Sequence, residues 1–126
     1  MTIPEEIILM SHGGGGGRTR QLIDDIIYPP LKNPILHKME DAACLTLPGE
    51  NLVMTTDSYV VRPIFFPGGD IGKLAVCGTV NDLAMQGGEP RYLSLAFILE
   101  AGLRLHDFKT ILNSIAEIAG QTGVQI

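Results

Sequence analysis

Apolar and polar positions divide this chain into short elements of different period. Residues 3–10 are apolar apart from Glu5 and Glu6, which predicts a short strand. Leu22, Ile23, Ile26 and Ile27 recur at helical spacing within Arg18–Tyr28, and Pro29-Pro30 should stop that helix. Residues 29–38 then read as a linker. Ala42–Leu47 and Leu52–Asp57 read as two strands of a hairpin turned by Pro48-Gly49-Glu50-Asn51. Pro67-Gly68-Gly69-Asp70 predicts a turn, with Asp70 as N-cap of a helix that runs to about Gln86 and ends at Gly87-Gly88. Ala75, Gly78 and Ala84 leave room on that helix for close packing. Tyr92–Leu99 has few polar residues and is expected to be a strand buried on both faces. Asp107 is placed to cap a second helix, with Phe108, Ile111, Leu112, Ile115 and Ile118 on its apolar face and Gly120 and Gly123 at its end. Val124-Gln125-Ile126 looks like the start of a further strand, cut short, as in part of a longer protein. The order β-β-α-β-α-(β) predicts an α+β layer: a mixed sheet with helices on one face.

Composition narrows the function classes. The 126 residues suffice for one domain with a modest core. A net charge of −5 without a Lys/Arg cluster gives no basis for a nucleic-acid surface. No apolar run reaches the ~18 residues of a membrane span, and the acidic start is unlike a signal peptide. Cys44 and Cys77 are the only cysteines and have no CxxC spacing, so buried, inert, reduced thiols are expected, with the cytoplasm as the default compartment.

Three groups of residues can carry chemistry. If Leu47 pairs with Leu52, Asp41 falls opposite Ser58, beside Asp57, and both carboxylates sit at the open end of one hairpin; a one-residue slip would change their faces. With Asp82, and Asn81 beside it, they form an oxygen-rich set of the kind that holds Mg²⁺ with substrate phosphates. On spacing alone the structural alternative has a slight edge: an Asx turn at Asp57-Ser58 and a solvated Asp82. The five glycines of Ser11–Gly17 offer unobstructed backbone N–H groups for phosphate and should be mobile when nothing is bound. The P-loop lysine is absent, and a polyglycine by itself is more often a flexible linker. His12, beside the glycines, can touch a reacting group or be an ordinary surface histidine. Lys73, in the first turn of the central helix, can reach a phosphate or remain solvated.

The segments SHGGGG, EDAA (Glu40–Ala43), the stretch from Thr55 to Ser94 (TTDSYVVRPIFFPGGDIGKLAVCGTVNDLAMQGGEPRYLS) and FILEAGL (Phe97–Leu103) together resemble the N-terminal portion of the HypE family of hydrogenase maturation factors. That family lies in the PurM-like superfamily of ATP-dependent aminoimidazole ribonucleotide (AIR) synthetases. The resemblance covers nearly the whole chain. Related enzymes fit less well: a selenophosphate synthetase would carry Cys or selenocysteine in its glycine-rich loop, and a thiamine-monophosphate kinase would show GDDAA where this chain has MEDAA.

The resemblance implies the following. Residues 1–38 would be a Gly-rich flexible segment and helix, and 39–126 a PurM-like domain that binds ATP and Mg²⁺ and dimerises, its sheet pairing with a partner's into a barrel. Asp41, Asp57 and Asp82 match the family's acidic ATP/Mg²⁺ positions, and Gly13, Gly14, Gly15 and Gly16 match a loop that closes over phosphates, with His12 beside them. The family's reaction uses ATP to dehydrate a thiocarboxamide on a C-terminal cysteine to a thiocyanate, the source of the cyanide ligands of [NiFe]-hydrogenase iron. The carbamoyl group comes from the HypF carbamoyltransferase, and cyanide passes to iron on a HypC–HypD complex. The family's second domain and acceptor cysteine are missing from this sequence, so it is expected to fold or dimerise without turnover. A competing class is a dimerisation and partner-docking module without nucleotide binding; another PurM-like enzyme is the alternative within the superfamily.

Overall fold

The computed structural model describes residues 7–39 and 52–126. The chain enters through Ile7, which bridges Arg104 in antiparallel fashion, and Ile8, whose N–H donates to Leu103 O at 2.6 Å. A 3-10 turn over Met10–Gly13 follows, then helix α1 (Gly17–Leu22), a π turn (Ile23–Ile27) and helix α2 (Tyr28–Leu31). The helical run thus passes through Pro29 and Pro30 instead of stopping before them. The π turn moves the Tyr28 N–H onto Ile23 O, and the prolines then occupy the opening positions of a fresh turn, where a missing N–H matters least.

The expected linker is part of the fold. Leu31 is buried in the core, and Asn33 organises the next turn: its Oδ1 accepts from Ile35 N (2.8 Å) and Leu36 N (3.0 Å), and its Nδ2 donates to Leu31 O and Ile126 O. The strand expected over Ala42–Leu47, with its turn and hairpin register, lies outside the described residues. Leu52–Asp57 joins no ladder among the described residues. Strands β1 (Phe65–Phe66) and β2 (Gly69–Asp70) make a two-residue antiparallel hairpin turned by Pro67-Gly68, with Gly68 at φ 93°. Proline fixes the first turn position, and only glycine takes the second without cost.

Helix α3 (Ile71–Met85) begins as the sequence predicts: Asp70 caps it, accepting from Gly72 N (2.7 Å) and Lys73 N (3.0 Å). It ends at left-handed Gly87, with Gly87 N bonded to Ala84 O and Gly88 N to Leu83 O, the paired bonds of a glycine cap. Helix α4 (Leu105–Thr122) differs at both ends from expectation. Asp107 is not its N-cap: Arg104 holds that position, and Asp107, one turn in, receives the Arg104 guanidinium at 2.7 and 3.0 Å. Gly120 lies inside the helix, and Gly123 (φ 73°) ends it with the same pair of capping bonds.

The two long helices pack closely because α3 presents Gly72, whose Cβ, if present, would lie 2.6 Å from Ile111 O. Val76, Phe108, Leu112 and Ile115 are the most deeply buried side chains, and Ile8, Leu22 and Leu31 join the same core. The extended run 92–99 covers it with one face. Leu93, Leu95, Phe97 and Leu99 pack inward, Phe97 edge-on to Phe108 at 5.2 Å. Ser94, Ala96 and Ile98 point out, so burial on both faces is not realised among the described residues. Gln125 bridges Tyr92 in parallel, with α4 as the crossover that parallel neighbours require. The architecture is α+β, and its isolated bridges run in both directions.

Candidate functional site

The extended run from Leu52 lies antiparallel along α3. Val53 stands against Gly88 at the helix C-terminus, where an added Cβ would meet Val53 Cβ at 3.3 Å; Tyr59 stands against Gly78, where an added Cβ would lie 2.2 Å from the Tyr59 hydroxyl. On α3, Gly78, Thr79 and Asp82 share a face by their i, i+3 and i, i+4 spacing. The lack of a side chain at Gly78 lets the tyrosine ring settle on that face.

The result is a small polar cluster. The Tyr59 hydroxyl is 3.4 Å from Thr79 Oγ1, and the charges of Asp57 and Asp82 act on it. Burial is the first cause that pushes the Tyr59 phenol above its ordinary pKa. The Thr79 hydrogen bond works against that shift, and the negative charges of Asp57 and Asp82 add to it. Asp57 Oδ1 also accepts the Ser58 N–H at 2.7 Å, a bond to the next residue and not the two-residue reach of an Asx turn.

Asp57, Asn81 and Asp82 are exposed. An ionised carboxylate has about four acceptor sites, so both aspartates keep lone pairs for a hard cation. Their donor chemistry fits Mg²⁺. Among the described residues no group of three His, Cys, Asp or Glu side chains converges on one point. Asp41, the third expected ligand, lies outside the described residues, as does Cys44.

The other expected residues lie elsewhere on these elements. Lys73 is nine residues before Asp82 on α3, about 13 Å along the axis and on the opposite face. Its Nζ donates to Gly68 O at 3.0 Å, which ties it to the β1–β2 turn. His12 is buried, not a surface histidine. Its Nδ1 accepts the Leu9 N–H at 3.0 Å and closes the 3-10 turn. Gly13–Gly16 are exposed, and Thr19 spans the loop: its Oγ1 donates to His12 O (2.7 Å) and accepts from Gly15 N (2.9 Å). Cys77 is a half-buried free thiol against the core. No helix among the described residues is long and apolar enough to cross a membrane.

Sequence reasoning missed Tyr59 and Thr79. Their signal was present: a tyrosine two residues past Asp57, and a Gly-Thr pair one helical turn before Asp82.

Residues 39–126 match the model of the family described as AIR synthase related protein, N-terminal domain. Over 124 residues the chain is 48% identical to carbamoyl dehydratase HypE of Escherichia coli K12, covering 94% of this chain and 37% of that protein. It is similar to a solved hydrogenase maturation protein HypE in complex with ATP, with 51% identity and a TM-score of 0.90 over 94% of this chain and 35% of that one. A chain of a HypE–HypF complex matches with 50% identity and a TM-score of 0.60, over 83% of this chain and 33% of that one. The chain therefore spans little more than a third of the length of the relatives it matches.

Proposed function

We propose, because this chain belongs to the family of AIR synthase related proteins and matches its N-terminal domain, that it supplies the nucleotide-binding and metal-binding part of an ATP-dependent carbamoyl dehydratase of hydrogenase maturation. The observation that carries this reading is its likeness to a HypE solved with ATP.

In the proposed reaction a thiocarboxamide on a C-terminal cysteine loses water to become a thiocyanate. An amide oxygen is a poor leaving group. Its phosphorylation by ATP gives an imidate-like phosphate, and departure of phosphate leaves the C≡N triple bond. Asp57 and Asp82, with Asp41, would hold Mg²⁺, and Asn81 would support them. The metal, when bound, neutralises charge on the transferring phosphoryl group. Gly13–Gly16 would close over the phosphates with backbone N–H donors. Acceptor cysteine and second domain would lie in the remaining two-thirds of such a protein. HypF as carbamoyl donor has support from the HypE–HypF complex of a relative; HypC–HypD as acceptor and a cytoplasmic location follow from the pathway.

A second reading, a pairing module, draws on a separate observation. Met54 (84%), Val60 (92%) and Ile98 (104%) are almost wholly exposed apolar side chains on the two extended runs. Large apolar groups so placed favour a partner surface, and a second copy closing a barrel would cover them and remove free strand edges.

One experiment separates the readings: calorimetric titration of the chain with ATP, with and without Mg²⁺, and light-scattering mass on the same sample. The first reading expects Mg²⁺-dependent binding that Asp57→Asn weakens by about tenfold or more with no change in mass. A dimer that binds no nucleotide would leave the pairing module standing alone.

A further inference from the structure

The glycine run is held more firmly than its composition suggests. Its base is fixed: His12 is buried, its N–H donates to Leu9 O and its Nδ1 accepts the Leu9 N–H, each at 3.0 Å. Thr19, in the first turn of α1, spans the run with one hydroxyl. Its Oγ1 donates to His12 O at 2.7 Å and accepts the Gly15 N–H at 2.9 Å. A hydroxyl has one proton and two lone pairs, so both bonds form at once. Arg20 N donates to Gly16 O at 3.1 Å and ties the exit of the run to the same helix. Within this frame Gly15 takes a left-handed turn, φ 73°, which accounts for glycine at that position. Gly13 and Gly16 are different. Neither has a positive φ, and among the described residues an added Cβ would meet nothing within 4 Å at either. Backbone conformation and packing among those residues do not call for glycine there, which leaves close approach of a bound group as a use for the bare backbone.

We infer that Thr19 is a positioning residue, whose hydroxyl staples the glycine run at His12 and Gly15 and fixes, before any ligand arrives, the shape in which the neighbouring glycines meet a phosphate. This rests on the proposed phosphate role of Gly13–Gly16 and goes beyond it by dividing that role. The Gly15 N–H is committed to Thr19 and shapes the turn, and the donors for phosphate lie on its neighbours. Glycine loses more backbone freedom on ordering than any other residue. A loop ordered in advance removes part of that loss from the binding step. Thr19→Val keeps the size of the side chain and removes both bonds. Thr19→Ser keeps the hydroxyl. Gly15→Ala strains the same turn from its other side, with open space around the added Cβ among the described residues.

The test is calorimetric titration of the full chain with ATP and, separately, with inorganic tripolyphosphate, both in Mg²⁺. Thr19→Val should weaken both ligands by the same roughly three- to tenfold, because the staple acts on phosphate binding alone. Thr19→Ser should restore the parent affinities, and Gly15→Ala should reproduce the Thr19→Val loss. Unaltered ATP affinity in Thr19→Val, with the parent binding normally, overturns the positioning role and leaves the nucleotide site intact. A Thr19→Ser chain as weak as Thr19→Val also overturns it, since the hydroxyl is then not the agent. So does a loss for ATP without a loss for tripolyphosphate. A parent chain that binds ATP but not tripolyphosphate overturns the phosphate role of the run together with this one, and a parent that binds neither overturns the proposed nucleotide site as a whole.

Discussion

Asp70 has two tasks on one carboxylate. Oδ1 accepts the first free N–H groups of α3, and Oδ2 accepts the Ser114 hydroxyl from α4. It is also buried, so its replacement would leave unpaired donors that water reaches poorly. Asp70→Ala should cost about 1–2 kcal/mol through loss of the cap, read as a lower urea midpoint at unchanged slope. Asp70→Asn, which keeps an acceptor toward the helix, should recover part of that loss. Asp107 makes the contrast. It too precedes an apolar helical stripe, but its carboxylate is engaged by the exposed Arg104 guanidinium, and surface pairs of this kind contribute little. Sequence alone gives both residues the same signature. What separates them is whether a second helix covers the carboxylate, which no local pattern encodes.

At the scale of elements, the α3–α4 contact depends on the missing side chain at Gly72. A methyl there would meet Ile111 O at 2.6 Å and side-chain carbons of Ile111 and Ile115 at 2.9 Å. The obstacle includes backbone, so the helices must separate. Gly72→Ala should destabilise the chain by roughly 1–3 kcal/mol despite its better helix propensity, as measured by thermal or urea unfolding. The long helices were legible because glycine caps and a 3.6-residue period are local signals. The passage of the first helix through Pro29-Pro30 was not, because it needs a π turn that moves the hydrogen-bond ladder by one residue. The strand over Tyr92–Leu99 was misread for a different reason. A continuous apolar run says that both faces avoid water, not that one chain covers both. At the candidate site, Asp57 and Asp82 were singled out by their carboxylate chemistry and by motif resemblance, whereas Tyr59 and Thr79 needed the antiparallel lie of the Leu52 run on α3.

For the whole molecule, the exposed apolar run has a measurable consequence. If Met54, Val60 and Ile98 meet a second copy, Ile98→Asp should turn dimer into monomer by light scattering while the helical signal is retained. Ile98 touches no part of the α3–α4 core, so its replacement leaves that core intact. A parent chain that is monomeric at every concentration would remove this surface from the pairing account.

The core described above also has a direction in time. Ile8, Leu22 and Leu31 bury themselves in the core that α4 shares, and Asn33 reaches a carbonyl 93 residues further along the chain. During synthesis, at about 5–20 residues per second, the opening helices would emerge seconds before the helix that shelters them. In that interval their apolar faces belong to whatever holds nascent chains, and the glycine loop, anchored to α1 through Thr19, has no settled base. Protease protection of ribosome-bound chains should therefore stay low for residues 7–31 until α4 clears the exit tunnel, then rise in one step.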